Sequence, residues 1–158
     1  MTDHALITTR IALPTDVDSV ARIAHDAYEH YTSRIGRSPA PMTADYPDLI
    51  SRGTVWVAQA ADQMLGLLVL LDRPDHLLLD NIAVGPEAQG RGVGALLLEL
   101  AEREAHRLGH DEVRLYTNAA MTENLDYYPR RGYRETHRGE QDGYQRVYFT
   151  KTLTAATP

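Results

Sequence analysis

Apolar positions along this chain follow two periods, one near two residues and one near 3.6, and the switches between them mark out the elements. Residues 6–13 alternate loosely and read as a strand. Pro14-Thr15-Asp16 gives a helix start, and Val17, Val20, Ala24, Ala27 and Tyr31 follow on one helical face. Residues 36–41 contain two prolines and read as a loop, and 43–51 read as a short helix ended by Gly53. Residues 54–60 and 64–72 form a hairpin pattern around Ala61-Asp62-Gln63. After a turn at Arg73-Pro74-Asp75, residues 77–84 read as another strand. An amphipathic helix is expected over 95–108, with Leu97, Ala101, Ala105 and Leu108 as its stripe and Gly109 as its cap. Residues 112–117 read as a strand and 122–131 as a short helix stopped at Gly132. Segments 133–137 and 145–153 close as an antiparallel pair, and 154–158 is expected to fray. The pattern is mixed α+β, with a central, mostly antiparallel sheet flanked by helices, and it predicts a single domain over residues 6–153.

Composition narrows the class of protein. With 158 residues the chain can bury one proper core and has little room for two. The absence of cysteine excludes disulfides, thiolate metal sites and a cysteine nucleophile. The leading Met1-Thr2-Asp3-His4 has no basic region or apolar signal core, and the longest aliphatic run, 64–71, is too short to span a membrane. A cytoplasmic protein without membrane contact is therefore expected. The formal net charge of −6 argues against a nucleic-acid partner and suits an amine substrate. Any polyanionic ligand would have to be held by local groups: backbone N–H groups and Arg91, with Arg130 or Arg131 as further candidates.

The most informative stretch is Gln89-Gly90-Arg91-Gly92-Val93-Gly94, which lies between the 77–84 strand and the 95–108 helix. Strand, glycine turn and helix N-terminus together make a phosphate cradle. Glycine lets a ligand approach the backbone, and the first helical N–H groups lack intrahelical partners. The spacing fits neither the dinucleotide fingerprint nor the phosphate loop ending in Gly-Lys-Ser/Thr. On spacing alone, a pyrophosphate cradle and a tight turn without a ligand both stay open.

The run Val84-Gly-Pro-Glu-Ala-Gln89-Gly-Arg-Gly-Val-Gly94 resembles the acetyl-CoA motif of the GNAT superfamily of N-acetyltransferases, Gln/Arg-x-x-Gly-x-Gly/Ala, at Gln89, Gly92 and Gly94. A second block, Tyr127-Tyr128-Pro-Arg-Arg-Gly132-Tyr133, is similar to the family's Leu-Tyr-x-x-x-Gly-Phe. The resemblance runs from about residue 6 to 153 and implies the GNAT acyl-CoA N-acyltransferase fold. It further implies acetyl-CoA as cosubstrate, a primary amine on a small molecule, peptide or protein as acceptor, and direct attack in a ternary complex. GNAT domains often dimerise, which leaves a homodimer open. A non-catalytic acyl-CoA-binding or sensor domain is the alternative. An acetyltransferase acting on aminoacyl-tRNA would need a basic face.

Acyl transfer from a thioester to an amine needs a neutral amine, a proton acceptor, oxyanion donors and an acid for the thiolate. Neutralising a lysine-like amine at pH 7 costs roughly 4–5 kcal/mol. By the resemblance, Tyr128 is the candidate acid; a phenol of ordinary pKa protonates a thiolate at a cost of about 2 kcal/mol. Tyr127 takes the leucine slot and reads as packing. Asp80 is the candidate base, its carboxyl open to an upward shift from Leu79 and Ile82, with Glu29 or bulk-connected water as competitors. Backbone groups of Ile82, Ala83 and Val84 are expected to face the cofactor where the family's sheet splays, with the Val84 N–H as oxyanion donor. Gln89, Gly90, Arg91, Gly92, Val93, Gly94 and Ala95 would bind the pyrophosphate. Asn118 and Asn124 are candidate cofactor or water contacts, although Met121 stands where the family often has asparagine.

Two loops, 35–46 and 139–144, are candidates for the acceptor pocket walls. The pairs His25/His30 and His106/His110 read as solvated, and no metal is expected.

Overall fold

The computed structural model describes residues 6–154. Seven strands form one sheet in the order β1-β2-β3-β4-β5-β7-β6. These are β1 (Thr8–Ile11), β2 (Val55–Ala60), β3 (Gln63–Asp72), β4 (Leu77–Val84), β5 (Glu112–Asn118), β6 (Arg134–Gln141) and β7 (Tyr144–Thr152). Only β4 and β5 run parallel. A parallel pair needs a crossover, and helix α4 (Val93–Arg107) lies between the two strands in the chain.

The sheet has a core on each face. On one, α4 and α5 (Thr122–Arg130) pack over Leu65, Leu68, Leu77, Leu79, Leu115 and Phe149. On the other, α1 (Val17–Tyr28) and α3 (Tyr46–Ser51) cover Val55, Val57, Leu67, Val69 and Ala83. The central strand β3 is buried on both faces, which explains its unbroken run from Leu65 to Leu70. Each such side chain stabilises the fold by roughly 1.5–3 kcal/mol.

Most elements stand where the sequence pattern puts them, with four differences. The helical face ending at Tyr31 is broken: α1 stops at Tyr28, a 3₁₀ turn spans Glu29–Tyr31, and a single-turn α2 (Thr32–Ile35) ends on Gly36. The helix read over 43–51 is a 3₁₀ turn at Ala40–Thr43 followed by α3, whose start is capped by Asp45. Helix α4 begins at Val93, inside the glycine run, and Leu108 is 36% exposed rather than part of the buried stripe. The closing hairpin is longer than 133–137 suggests. Strand β6 is an exposed edge of sequence RETHRGEQ with no apolar alternation to betray it, as suits an edge that must not recruit another chain. It turns to β7 through Asp142 and Gly143, both with positive φ. Residues 1–5, and residues 155–158 of the expected frayed tail, lie outside the described residues.

Two local features set how the helices sit on the sheet. At Gly66 on β3, a β-carbon would come within 2.8 Å of the Ala83 carbonyl, 3.1 Å of Val93 Cγ1 and 3.3 Å of Leu97 Cδ1. The missing side chain thus lets the first turn of α4 lie against the sheet. Glu123 on α5 holds the α1–α2 arm. It accepts from Tyr31 Oη and from Arg34 Nη1, each at 2.5 Å. The two bonds, Tyr31's first and then Arg34's, hold its carboxyl down to about 2.

Gly66→Ala is expected to cost about 1–3 kcal/mol by overpacking, read as a lower urea midpoint with an unchanged slope. For Glu123, the folded pKa lies below the unfolded value, so the latch contributes above pH 4.5 and is lost as pH falls toward about 2. An NMR titration should place the carboxyl midpoint near 2. Tyr31→Phe should raise it more than Arg34→Gln. Because the group is 53% exposed, high salt should weaken the Arg34 contribution.

Candidate active site

Strand β4 ends at Val84 and a 3₁₀ turn follows at Pro86–Ala88. Gly90 and Gly92 then take φ of 81° and 80°, a conformation that a β-carbon penalises. Gly92 is the N-cap of α4 and has no side chain to occupy the helix's first donors. The N–H groups of Val93, Gly94 and Ala95 are left for an external acceptor. Gly94 lies beneath Tyr127, whose hydroxyl would stand 3.1 Å from a β-carbon there.

These residues form one wall of a groove with about 1180 Å³ of empty space. Of the positions expected from sequence, Ile82, Val84, Gln89, Gly90, Gly92, Val93, Gly94, Ala95, Asn124 and Tyr128 line it. Three do not. Ala83 is buried in the opposite core, beneath α1. Arg91 is exposed outside the groove wall. Asn118 lies in a neighbouring cleft, its Oδ1 accepting from the Ala120 N–H at 2.9 Å. The cation that does line the groove is Arg131, its guanidinium 5.0 Å from the Tyr127 ring centre; Arg130 is exposed and not part of the wall.

The neighbouring cleft opens where the sheet splits. The β4–β5 register runs only from Leu77↔Val113 to Leu79↔Leu115, and beyond it the strands part. A bulge coincides with the split: Leu79 pairs with Leu70 and Asn81 with Val69, so Asp80 has no partner on β3. Bulges re-aim side chains. Leu79 packs under α4, whereas Asp80 and Asn81 border a space shared with Ala44 and Leu49 on the α3 side. Asp80 Oδ1 accepts from the Tyr116 hydroxyl at 2.7 Å.

This second cleft is small, about 60 Å³, and is roofed by residues 39–41 and Tyr144, which belong to the two loops singled out in the sequence. The loops touch: Tyr144 donates to the Ser38 carbonyl at 2.6 Å, and Arg37 stacks 4.1 Å from the Tyr144 ring centre. The groove and the cleft share Tyr28, Ile82, Asn124 and Tyr128. Tyr128 is 6% exposed, and its hydroxyl has no hydrogen-bond partner among the described residues. Burial, with smaller contributions from Tyr127 and Tyr31, pushes its pKa well up. Tyr28 donates to the Ile82 carbonyl at 2.5 Å, so that carbonyl already has a partner. Asn124 donates to Thr117 Oγ1 at 2.9 Å. Met121, at the family's asparagine position, is buried at the start of α5.

Glu29 is 67% exposed and lines neither space; it borders a separate surface cleft beside His25 and Asp26. His30 stacks on Tyr31 and His110 pairs with Asp72. Sequence reading missed Tyr28, Tyr116 and Arg146. For Arg146 a signal exists: Tyr144, Arg146 and Tyr148 alternate, which puts all three on one face of β7.

Residues 51–135 match the profile of the acetyltransferase (GNAT) domain. An uncharacterised N-acetyltransferase, YvbK, of Bacillus subtilis (strain 168) is 33% identical over 88 residues, 55% of this chain and 57% of that protein. The matched region thus spans little more than half the length of this curated relative. In fold, the chain is similar to the PaiA N-acetyltransferase of Thermoplasma acidophilum solved in complex with coenzyme A (TM-score 0.78, 18% identity, 94% of this chain and 99% of that one). It is also similar to a GNAT-family acetyltransferase of Listeria monocytogenes 4b F2365 (TM-score 0.76, 17% identity, 97% and 98%). The profile match covers more than half of the chain and takes in both the glycine turn and the tyrosine block, and on that ground the protein belongs to the GNAT acetyltransferase family.

Proposed function

We propose that the protein is an acetyl-CoA-dependent N-acetyltransferase that acetylates a primary amine by direct attack. The observation that carries this reading is the meeting of the two spaces at Tyr128: a glycine-lined groove on one side and a cleft with Asp80 and Arg146 in its wall on the other. The groove fits a CoA-type ligand. Its wall offers free helix N–H groups at Val93–Ala95, two left-handed glycines, and Arg131 for a polyanion that the chain's net charge of −6 would otherwise repel. The coenzyme A bound to the Thermoplasma relative is in keeping with this.

Bound acetyl-CoA would supply a thioester, whose C–S bond breaks as the amine nitrogen bonds to the acetyl carbon, the amine losing a proton and the thiolate gaining one. Along β4, the groups left unpaired by the split face that reaction from the protein side, and the Val84 N–H is the oxyanion donor in this reading. Asp80 takes the amine proton. One carboxylate oxygen is held by Tyr116, and the other has no partner among the described residues. Tyr128 serves the leaving sulfur. Because burial raises its pKa, complete proton transfer costs more than the roughly 2 kcal/mol of an ordinary phenol. Its main contribution is then a strengthening hydrogen bond to sulfur, completed by the proton as negative charge develops.

Three substitutions test the assignment. Tyr128→Phe should lower kcat by about 10²-fold or more while calorimetry finds CoA affinity within a few-fold of wild type; unchanged turnover would remove Tyr128 from the chemistry. Asp80→Asn should lower kcat, with the deficit shrinking as pH rises and more amine is neutral; a constant deficit across pH would point to a structural effect. Gly92→Glu should abolish CoA binding, since it puts a side chain and a negative charge at the helix N-terminus. A binding-only domain would show CoA affinity without thiol release against any amine.

A further inference from the structure

Arg146 is the charged residue that the fold leaves least explained. It stands on β7 opposite Asn118 and is 8% exposed. Its guanidinium stacks 4.1 Å from the centre of the Tyr116 ring, with the Tyr144 ring 5.8 Å away. Its one hydrogen bond is from Nη1 to Gln141 Oε1, at 2.7 Å. No carboxylate among the described residues reaches it, so most of its five N–H donors have no partner. A buried cation without a counter-ion is costly. The stacking offsets part of that cost and holds the guanidinium plane in place, but it does not use the in-plane donors. Arg146 lines the cleft beside the split in the sheet. Asp80 lies in the same cleft and is separated from it by the ring of Tyr116, which carries Arg146 on its face and donates to Asp80 from its hydroxyl. Tyr116 thus sets a fixed spacing between a cation and a carboxylate.

We propose that the amine acceptor is a small molecule that also carries a carboxylate, which Arg146 pairs with while the amine lies toward Asp80 and Tyr128. This rests on the proposed acetyltransferase reading and specifies the substrate class of that site. A planar guanidinium held on an aromatic ring suits two-point recognition of a carboxylate. Ile35, Pro39 and Leu79 line the same cleft and offer apolar contacts to a short carbon skeleton between the charged ends. An amine without a carboxylate would leave the buried guanidinium without a counter-ion, which is the basis for discrimination.

The test compares amino acids and ω-amino acids with their decarboxylated amines, by thiol release from acetyl-CoA. For the best acceptor, wild type should prefer the carboxylate form at least tenfold in kcat/KM. In Arg146→Gln that preference should collapse toward one, mainly through a higher KM, and Arg146→Lys should restore part of it. In parallel, calorimetry on the CoA-loaded wild-type protein should detect the same amino acids, and the amines should bind at least tenfold more weakly. Equal use and equal binding of both forms by wild type would overturn the proposal, whatever the variants do. Carboxylate-selective binding that is lost in Arg146→Gln, without turnover of any amine, would keep the anion site and sink the acetyltransferase reading. Turnover of amines with no carboxylate preference would do the reverse.

Discussion

The early end of the β4–β5 pairing is the constraint on which this structure depends. Two parallel strands bond over three residue pairs and then separate, although both continue. Backbone donors and acceptors cannot be buried without partners, so the gap must be filled by side chains or by a ligand. Around it, the protein supplies some of these groups itself. Tyr28 bonds the Ile82 carbonyl, and Asn81 connects to Tyr46, whose hydroxyl donates to the Pro41 carbonyl at 2.5 Å. The Asp80 bulge lies at the same point, so the break in pairing and the turn of the carboxylate toward the cleft are one event in the backbone.

How much of this was legible in the sequence depends on which signals are local. Strand β4 was readable to the residue, because Leu77 to Val84 lies between a proline turn and a glycine run. The glycine motif gave most of the groove, since helix N-termini and left-handed glycines are properties of a few consecutive residues. Arg91 misled because nearness in sequence to a phosphate motif does not decide which way a long side chain leaves a turn. Arg131, forty residues later, lines the groove instead. At Ala83 the bulge at Asp80 shifts the alternation and turns the side chain into the opposite core, which leaves the expected role to its backbone alone. The cleft beside the split was least legible, since it is assembled from α1, α2, residues 39–41, three strands and α5. Its loops and Asp80, Ile82, Asn118, Asn124 and Tyr128 were expected, but Tyr28, Tyr116 and Arg146 are ordinary helix and strand residues when read one at a time.

The aromatic residues show how a chain with nine tyrosines and one phenylalanine uses the difference between them. Most of the tyrosines near the site use their hydroxyls as structural donors: Tyr28 to β4, Tyr31 to Glu123, Tyr46 to Pro41, Tyr116 to Asp80 and Tyr144 to Ser38. All but the Tyr46 bond join elements distant in sequence while the rings fill space. Tyr128 is packed among Tyr127, Tyr133 and Phe149, yet its hydroxyl is left unengaged. A ring fixed on several sides and a free polar end make a rigid pointer, which is the preorganisation that a reacting group needs.

The wall common to both spaces has a consequence for how such a protein can diverge. Residues that border one space alone, such as Pro39 or Arg131, can drift with the demands of one occupant. Tyr28, Ile82, Asn124 and Tyr128 answer to two occupants at once. New preferences for the cleft's occupant can therefore arise at the roof loops and the β6–β7 hairpin, while the partition stays fixed like a shared wall between two rooms.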